Sequence, residues 1–274
     1  MQDNRRPFPE FDAPPVVETV LGVEFAPLGS WGVPHFGLFW HGIQGEYDHF
    51  EVQPPLSSQI EQFGEERAQP EQPFFDLLPT QARCWFISLD DRTLIQVQNG
   101  RFLLNWRKGE GQTPYPRYEQ TVRPRFVAAW QSFTRFVEDQ KLGEIAVAQC
   151  EVTYVNHLPI GAGWKDASDI SEVFPVWAGR TLGEFLPQPE RVHFGANYLL
   201  PGRRGRLRVT MQPAFRSSDH SEILQLTLTA RGRPQSSSEA DILAWLDLGR
   251  EWVVRGFADI TSTKMHEEIW RRTR

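Results

Sequence analysis

The amino-acid sequence predicts an α+β protein built from an internally duplicated β-α-β-β-β-α unit. Short segments in which apolar and polar residues alternate are separated by turn residues, which is typical of antiparallel strands. Each group of such segments is followed by a long segment with apolar residues at helical spacing. The order of segments is the same in both halves of the 274-residue chain. The predicted units are residues 14–141 and 142–274, preceded by a flexible tail at 1–13.

The elements of the first half follow from residue patterns and turn signals. Residues 16–28 alternate as a strand, with Glu18 and Glu24 on the side opposite the apolar residues. Residues 33–50 carry aromatic residues at helical spacing and predict a helix. Residues 51–82 are rich in Pro, Gln and Glu without a period, so they predict a long irregular connection. Three strands and a helix follow at 83–89, 93–99, 101–107 and 122–140; the helix presents Phe126, Ala129, Trp130, Phe133 and Val137 on one face, and Asp90–Asp91 and Asn99–Gly100 supply the turns.

The second half repeats this order. Residues 143–160 predict a long strand whose V-T-Y is similar to the V-E-F of the first strand. Three antiparallel strands and a long helix in each half predict helices on one face, over one continuous sheet or two pseudo-symmetric sheets. The layout is similar to those of TATA-binding-protein-like and helix-grip folds, and a shared layout does not imply a shared function. The remaining elements are a short helix at 169–177, strands at 191–200, 205–215 and 222–232, and a closing helix at 241–272.

Each predicted strand has an apolar side and a side of Gln, Asn, Thr, Arg and Glu. A plain solvent-facing surface favours Lys and Glu, whereas these groups form directional hydrogen bonds. Two interpretations stay open: a solvated outer face, or a polar platform that binds a ligand, a partner or nucleic acid. The polar side carries Gln96, Gln98, Asn105, Arg107, Gln149, Glu151, Thr153, His157, Arg206, Arg208, Thr210, Gln212, Gln225, Thr227, Thr229 and Arg231.

The candidate binding residues lie on this polar side and at one strand-to-helix corner. Arg107 and Arg231 end the last strand of each half, where arginine could bind a carboxylate or phosphate or hold the following loop. The corner after L-N-W-R contains aromatic residues that its counterpart L-T-L-T-A-R-G-R-P-Q-S-S-S-E-A-D-I lacks, so a requirement common to both halves does not explain them. The candidate set is Arg107, Tyr115, Arg117, Tyr118, Glu151, Arg208 (in a basic stripe that begins at Arg203) and Arg231.

Composition and missing motifs narrow the classes of function. The net charge of −6 disfavours a general binder of nucleic-acid backbones. Cys84 and Cys150 are the two cysteines, and they are interpreted as buried thiols rather than a disulfide. Phosphate-loop, dinucleotide and nucleophile-elbow motifs are absent and the histidines are scattered, so no catalytic residue, metal site or cofactor is predicted. The N-terminus does not resemble a signal peptide and no run has membrane-spanning length, so we expect a cytoplasmic protein without a membrane partner.

Several motifs together resemble a known family. P-P-V-V-E-T-V-L-G-V-E-F, L-N-W-R, Y-P-R-Y-E and E-V-T-Y-V-N are similar to those of a sporadically distributed bacterial family of uncharacterised proteins. The resemblance implies no activity or cofactor, but patchy distribution is typical of accessory systems such as defence or toxin–antitoxin systems. The sequence therefore predicts a non-enzymatic binding protein that acts through a protein partner or self-association. The alternatives are a small-molecule-binding or hydrolytic enzyme with a pocket between the halves, near Arg107, Tyr115, Arg117, Glu151 and Arg231, and a nucleic-acid-binding saddle.

Overall fold

One antiparallel sheet forms the framework of the protein. The computed structural model describes residues 7–63, 82–109, 114–176, 185–187 and 189–274. Within these ranges the sheet has nine strands: β1 (Val16–Phe25), β2 (His49–Gln53), β3 (Arg83–Ile87), β4 (Thr93–Gln98), β5 (Arg101–Arg107), β6 (Val147–Pro159), β7 (Phe194–Leu199), β8 (Arg206–Phe215) and β9 (Glu222–Gly232). Their order is β2-β3-β4-β5-β1-β6-β9-β8-β7, so the predicted α+β class is confirmed, with one sheet running through both halves.

The two halves have the same strand order when each is read outward from the centre of the sheet. The first half runs β1-β5-β4-β3 and the second runs β6-β9-β8-β7, while β2 adds an extra edge strand to the first. Where β1 pairs with β6, Glu18 lies opposite Val155 and Gly22 lies opposite Glu151. The first strands of the two halves therefore pair with each other at the centre of the sheet. A common origin of the two halves remains a prediction.

The long helices pack on one face of the sheet. The described helices are α1 (Val33–Ile43), α2 (Arg123–Asp139), α3 (Ile170–Val173) and α4 (Glu239–Ile260). On α2, Phe133 is fully buried against Phe25 and Phe102 of the sheet. Helix α4 lies over β6, β8 and β9. Burial of large apolar side chains on this face is the main favourable contribution to folding.

Three helices differ in extent from the sequence prediction. Helix α1 ends at Ile43 instead of residue 50, since Trp40 Nε1 donates to the carbonyl of Tyr47 at 2.8 Å and the chain then enters β2. Helix α4 ends at Ile260 instead of residue 272, because Thr261 Oγ1 donates to the carbonyl of Phe257 at 2.6 Å and closes the last turn. A separate π-helical turn follows α4 at Met265–Ile269. The predicted helix at 169–177 is shorter, with α3 at Ile170–Val173, and its residue 177 lies outside the described residues.

The two cysteines are buried and free, as the sequence predicts. Cys84 on β3 and Cys150 on β6 lie in one row that crosses β4, β5 and β1. Four inter-strand spacings separate them by about 19 Å, far beyond the Cα separation of about 6 Å that a disulfide requires. Burial raises the pKa of both thiols, so neither is an activated nucleophile.

The predicted irregular connection at 51–82 is wrong in its first part. Residues up to Gln53 complete strand β2, whose backbone pairs with β3. Residues 54–63 then run across the sheet on the face opposite the helices, and we call this segment the strap. Residues 64–81 of the predicted connection lie outside the described residues, as do residues 110–113 of the loop after β5.

Candidate functional site: the polar sheet face and its strap

The face of the sheet opposite the helices carries a continuous row of polar side chains, which we call the polar row. Cross-strand pairing connects its members one after another, perpendicular to the strands. Because side chains of directly paired residues lie on the same side of a sheet, each pair of these groups is about 4.8 Å apart. In order across the sheet they are Arg83, Gln98, Arg101, Glu24 and Gln149; the row then shifts by two residues along β6 to Glu151, which is paired with Arg231, and Arg231 is paired with Arg206.

The strap lies along the polar row and is held at Leu56 by a side-chain amide. The N–H of Leu56 donates to Gln98 Oε1 at 2.8 Å, and Gln98 Nε2 donates to the carbonyl of Leu56 at 3.0 Å. In a sheet, the N–H and C=O of one residue pair together with a neighbouring strand. The amide of Gln98 therefore substitutes for a neighbouring strand, and its contacts with Leu56 do not depend on the Leu56 side chain.

A second side-chain amide holds the strap on the other half of the sheet. Gln149 is buried on β6; its Nε2 donates to the carbonyl of Gln59 at 3.0 Å, and its Oε1 accepts from the N–H of Glu61 at 2.8 Å. Both contacts are to the backbone, so they depend on the conformation of the strap and not on its sequence, as at Leu56. We call each of these two pairs of hydrogen bonds a backbone grip. Gln98 and Gln149 together require an extended chain with a defined spacing.

The end of the strap adds contacts that do depend on sequence. The carboxylate of Glu61 accepts from Arg208 Nε at 2.8 Å and from Arg206 Nη1, and only 1% of the Glu61 side chain is exposed. Arg206 also lies over the ring of Phe63 at 5.5 Å. Two arginines on one carboxylate make charge-assisted hydrogen bonds, which are stronger than neutral ones.

The middle of the strap is tied to both halves of the sheet. Arg231 Nη1 donates to Gln59 Oε1 at 2.6 Å, while Arg231 Nε donates to Glu151 at 2.5 Å. Ser58 donates to Glu24, whose other oxygen accepts from Arg101 at 2.6 Å. The polar row is therefore covered by residues of the same chain over the length of the strap.

Three of the predicted site residues lie under this strap and one lies far from it. Glu151, Arg208 and Arg231 are part of the strap's surroundings. Arg107 shares their face but lies further along the strands. Leu103 on β5 is in line with Glu151 through Gly22, and Arg107 is four residues beyond Leu103, so it lies about 13 Å toward the other end of the strands. There Arg107 Nη2 donates to Asp91 at 2.5 Å.

The predicted equivalence of the two arginines agrees with the pairing register. Glu18 lies directly opposite Arg107 in the first half, and Glu151 lies directly opposite Arg231 in the second. The two arginines thus occupy matching places at opposite ends of the polar face. Only the Arg231 end is crossed by the strap within the described ranges.

The predicted tyrosine corner lies on the helix side of the sheet and fastens the chain. Tyr115 Oη shares a hydrogen bond with Tyr154 Oη at 2.8 Å, and Tyr118 Oη donates to Asp247 of α4 at 2.9 Å. Burial raises the pKa of both Tyr115 and Tyr118. Arg117 pairs with Glu10 at 2.6 Å. The corner therefore connects β6, α4 and the N-terminal segment, and the seven candidate residues do not converge on one pocket.

Two surface cavities are each lined by one half of the chain. The first is lined by residues between Asp90 and Arg125, and the second by residues between Gly202 and Trp245. Neither is lined by Glu151 or Arg231. The enzyme alternative, with a pocket between the halves, gains no support from these cavities.

A chain of buried and partly buried hydrogen bonds runs from the Arg107 end of the polar face to Arg83 of the polar row. Asn105 Nδ2 donates to Glu18 Oε1 at 2.6 Å, Gln96 Nε2 donates to Asn105 Oδ1 at 2.8 Å, and Arg83 Nη1 donates to Gln96 Oε1 at 2.8 Å. Burial raises the pKa of Glu18 above its ordinary value, because the ionised carboxylate loses hydration. The hydrogen bond from Asn105 and the charge of Arg107 offset part of this effect.

We expect the substitution Glu18→Gln to change how stability depends on pH. The folded state binds the Glu18 proton more tightly than the unfolded chain, so this group loses stability as pH rises from about 4.3 through its folded pKa. Gln can still accept the hydrogen bond from Asn105 and does not ionise. The free energy of unfolding of the variant, minus that of the native chain, should therefore increase between pH 4 and pH 7, so that the variant becomes relatively more stable.

Urea unfolding at several pH values measures this effect. The exposed Glu222→Gln variant is the matched control, since it removes one carboxylate from another strand of the same sheet. A constant difference between Glu18→Gln and the native chain across the range would show that Glu18 does not titrate differently on folding.

Sequence reasoning missed the residues that hold the strap. Gln98, Gln149 and Arg206 were placed on the polar face by strand alternation but were not distinguished from their neighbours. Glu61 lies in a segment without any period, so no pattern marked it. The proline-rich start of that segment, with Pro54 and Pro55, was the one available signal for an extended chain.

Comparisons with protein-family models, with curated proteins and with solved structures gave no match. In the part of the chain that the structure describes, no group of three or more His, Cys, Asp or Glu side chains is arranged to hold a metal ion. The helices in the same ranges lack the combination of length and apolar character that crossing a bilayer requires.

Proposed function

We propose that the protein is a non-enzymatic binding protein whose polar sheet face holds an extended segment of a protein partner. One observation carries the proposal: the face already holds ten residues of its own chain through the side-chain amides of Gln98 and Gln149. Those amides bind backbone groups that every peptide has. Extended segments of other proteins could therefore use the same contacts.

The charges of the face favour a peptide over nucleic acid. On this face Glu24 pairs with Arg101, and Glu151 pairs with Arg231. A phosphate backbone would meet these carboxylates as well as the arginines, and the net charge of −6 adds to the repulsion. An accessory role such as defence or toxin–antitoxin function is supported by the family resemblance alone.

The test needs a variant that frees the face without altering it. The double substitution Leu56→Pro and Glu61→Pro removes both backbone N–H donors and the Glu61 carboxylate, and it leaves Gln98 and Gln149 intact. Ile60→Ala is the matched control, because the Ile60 side chain on the same strap is 39% exposed. We call the double variant the strap-release variant.

Both variants are used to select peptides from a random dodecapeptide library displayed on phage. We expect enrichment on the strap-release variant over the Ile60→Ala control. Adding Gln98→Ala and Gln149→Ala to the strap-release variant should abolish the enrichment, since both backbone grips are then lost. Light scattering of the strap-release variant reports whether a second copy of the chain is itself the partner.

Circular dichroism confirms that each variant is folded before selection. If a folded strap-release variant enriches no peptide and remains monomeric, the proposal is wrong. It is also wrong if the enriched peptides bind equally well after the two glutamines are removed, because binding would then lie elsewhere.

A further inference from the structure

We infer that the polar face specifically binds a glutamate side chain, so that its ligand is an acidic extended peptide which replaces the strap. This inference rests on the proposed function and specifies the chemistry of its ligand. The resident strap is the template: Glu61 is its most buried described side chain, and two arginines bind it. The arginine pair is thus a carboxylate-binding subsite that the chain's own residue occupies.

The geometry of Arg206 and Arg208 suits one carboxylate. The two residues are separated by one position on β8, so their side chains leave the same face about 7 Å apart. Each arginine binds a different oxygen of Glu61. A neutral side chain in this place would remove a carboxylate that accepts charge-assisted hydrogen bonds from two partly buried guanidinium groups, which is costly.

A second subsite fixes the residue two positions earlier. Residues 59 and 61 point to the same side of an extended chain, and Arg231 Nη1 donates to the side-chain oxygen of Gln59. Gln149 spans the same two residues through the Gln59 carbonyl and the Glu61 N–H, which sets their register. Ile60 between them is exposed. The recognised pattern is therefore a side-chain acceptor, any residue, and then glutamate.

The strap competes with any such ligand, because it is part of the same chain. A tethered segment acts as if it were present at about millimolar concentration. An incoming peptide must exceed that competition, so the strap sets the affinity that a partner needs. The strap is in this sense an internal inhibitor of its own site.

Three synthetic decapeptides test the inference against the strap-release variant and the Ile60→Ala control. The first copies residues 54–63, PPLSSQIEQF. The second changes Glu to Gln at the position of Glu61, and the third changes Gln to Ala at the position of Gln59. Fluorescence anisotropy of labelled peptides gives each Kd.

The first peptide should bind the strap-release variant at least about tenfold more tightly than it binds the control, because the attached strap still fills the control's site. The Glu-to-Gln peptide should bind at least about tenfold more weakly than the first, since it loses charge-assisted bonds to both arginines. The Gln-to-Ala peptide should show a smaller loss, because one neutral acceptor is removed.

The outcomes separate this inference from the proposed function. Equal binding of the first two peptides would overturn the glutamate subsite, while peptide binding by the face would stand. Binding of neither peptide to a folded strap-release variant would overturn the inference, and the library selection would then decide the proposed function. If the strap-release variant does not fold, the Glu61→Gln variant takes its place, because it keeps both backbone grips. The first peptide should then bind Glu61→Gln more tightly than Ile60→Ala. Equal Kd values for the first peptide with these two variants would overturn the inference.

Discussion

Phe133→Ala is expected to lower the free energy of unfolding by about 3–5 kcal/mol, as for other large-to-small changes at fully buried aromatic residues. The Phe133 side chain on α2 has no exposed surface. Its ring contacts a cluster of aromatic rings whose centroids lie between 5.1 and 6.0 Å away. Alanine would leave a cavity at the junction of α1, α2 and the sheet, lined by Phe25, Trp31, Phe39, Phe102 and Trp130.

Urea unfolding followed by tryptophan fluorescence measures this change. Phe215→Ala is the matched control, because the Phe215 side chain is 62% exposed at the end of β8 and its loss should change stability by less than about 0.5 kcal/mol. Similar losses for the two variants would show that the aromatic cluster does not stabilise this half of the core as described.

Gly232→Ala is expected to lower the free energy of unfolding by about 1–3 kcal/mol or more through overpacking. A Cβ at this position would lie 2.2 Å from the carbonyl oxygen of Arg204 and 2.7 Å from Cα of Gly205. Both neighbours are backbone atoms, so a rotamer change cannot relieve the contact. The ring of Trp245 closes the remaining side at 2.8 Å.

Gly195→Ala is the control for the second prediction, since a Cβ at Gly195 in β7 meets no atom within 4 Å. Its stability should stay the same or rise slightly, because alanine loses less backbone entropy than glycine on folding. Thermal and urea unfolding of both variants give the comparison. A Gly232→Ala variant as stable as Gly195→Ala would mean that β8, β9 and α4 do not pack this closely.

The regular elements could be predicted because their residues repeat with the period of the structure. Strands β5 and β9 have the bounds 101–107 and 222–232 that alternation predicts. On α2, the predicted inward residues Phe126, Ala129, Trp130, Phe133 and Val137 are all buried. Alternation also placed the polar side chains on one side, since a strand shows its two faces to different surroundings.

The site could not be predicted to the same extent because its contacts are long-range and without period. Glu61 and Arg208 are 147 residues apart, and neither position alone indicates a partner. The candidate residues at the corner were chosen for their chemistry, and the structure uses two of them, Tyr115 and Tyr118, to join elements of the core. Aromatic hydroxyl groups serve equally in fastening and in binding, so composition alone does not separate the two roles.

The path of the strap has a consequence for the order in which a newly synthesised chain can complete itself. The Gln98 that holds Leu56 follows it by 42 residues, whereas Arg206 follows Glu61 by 145. At a synthesis rate of about 5–20 residues per second, Glu61 waits about 7–30 s on the ribosome for its arginine. During synthesis, the Leu56 end of the strap can therefore bind Gln98 before the arginines that pair with Glu61 have been made.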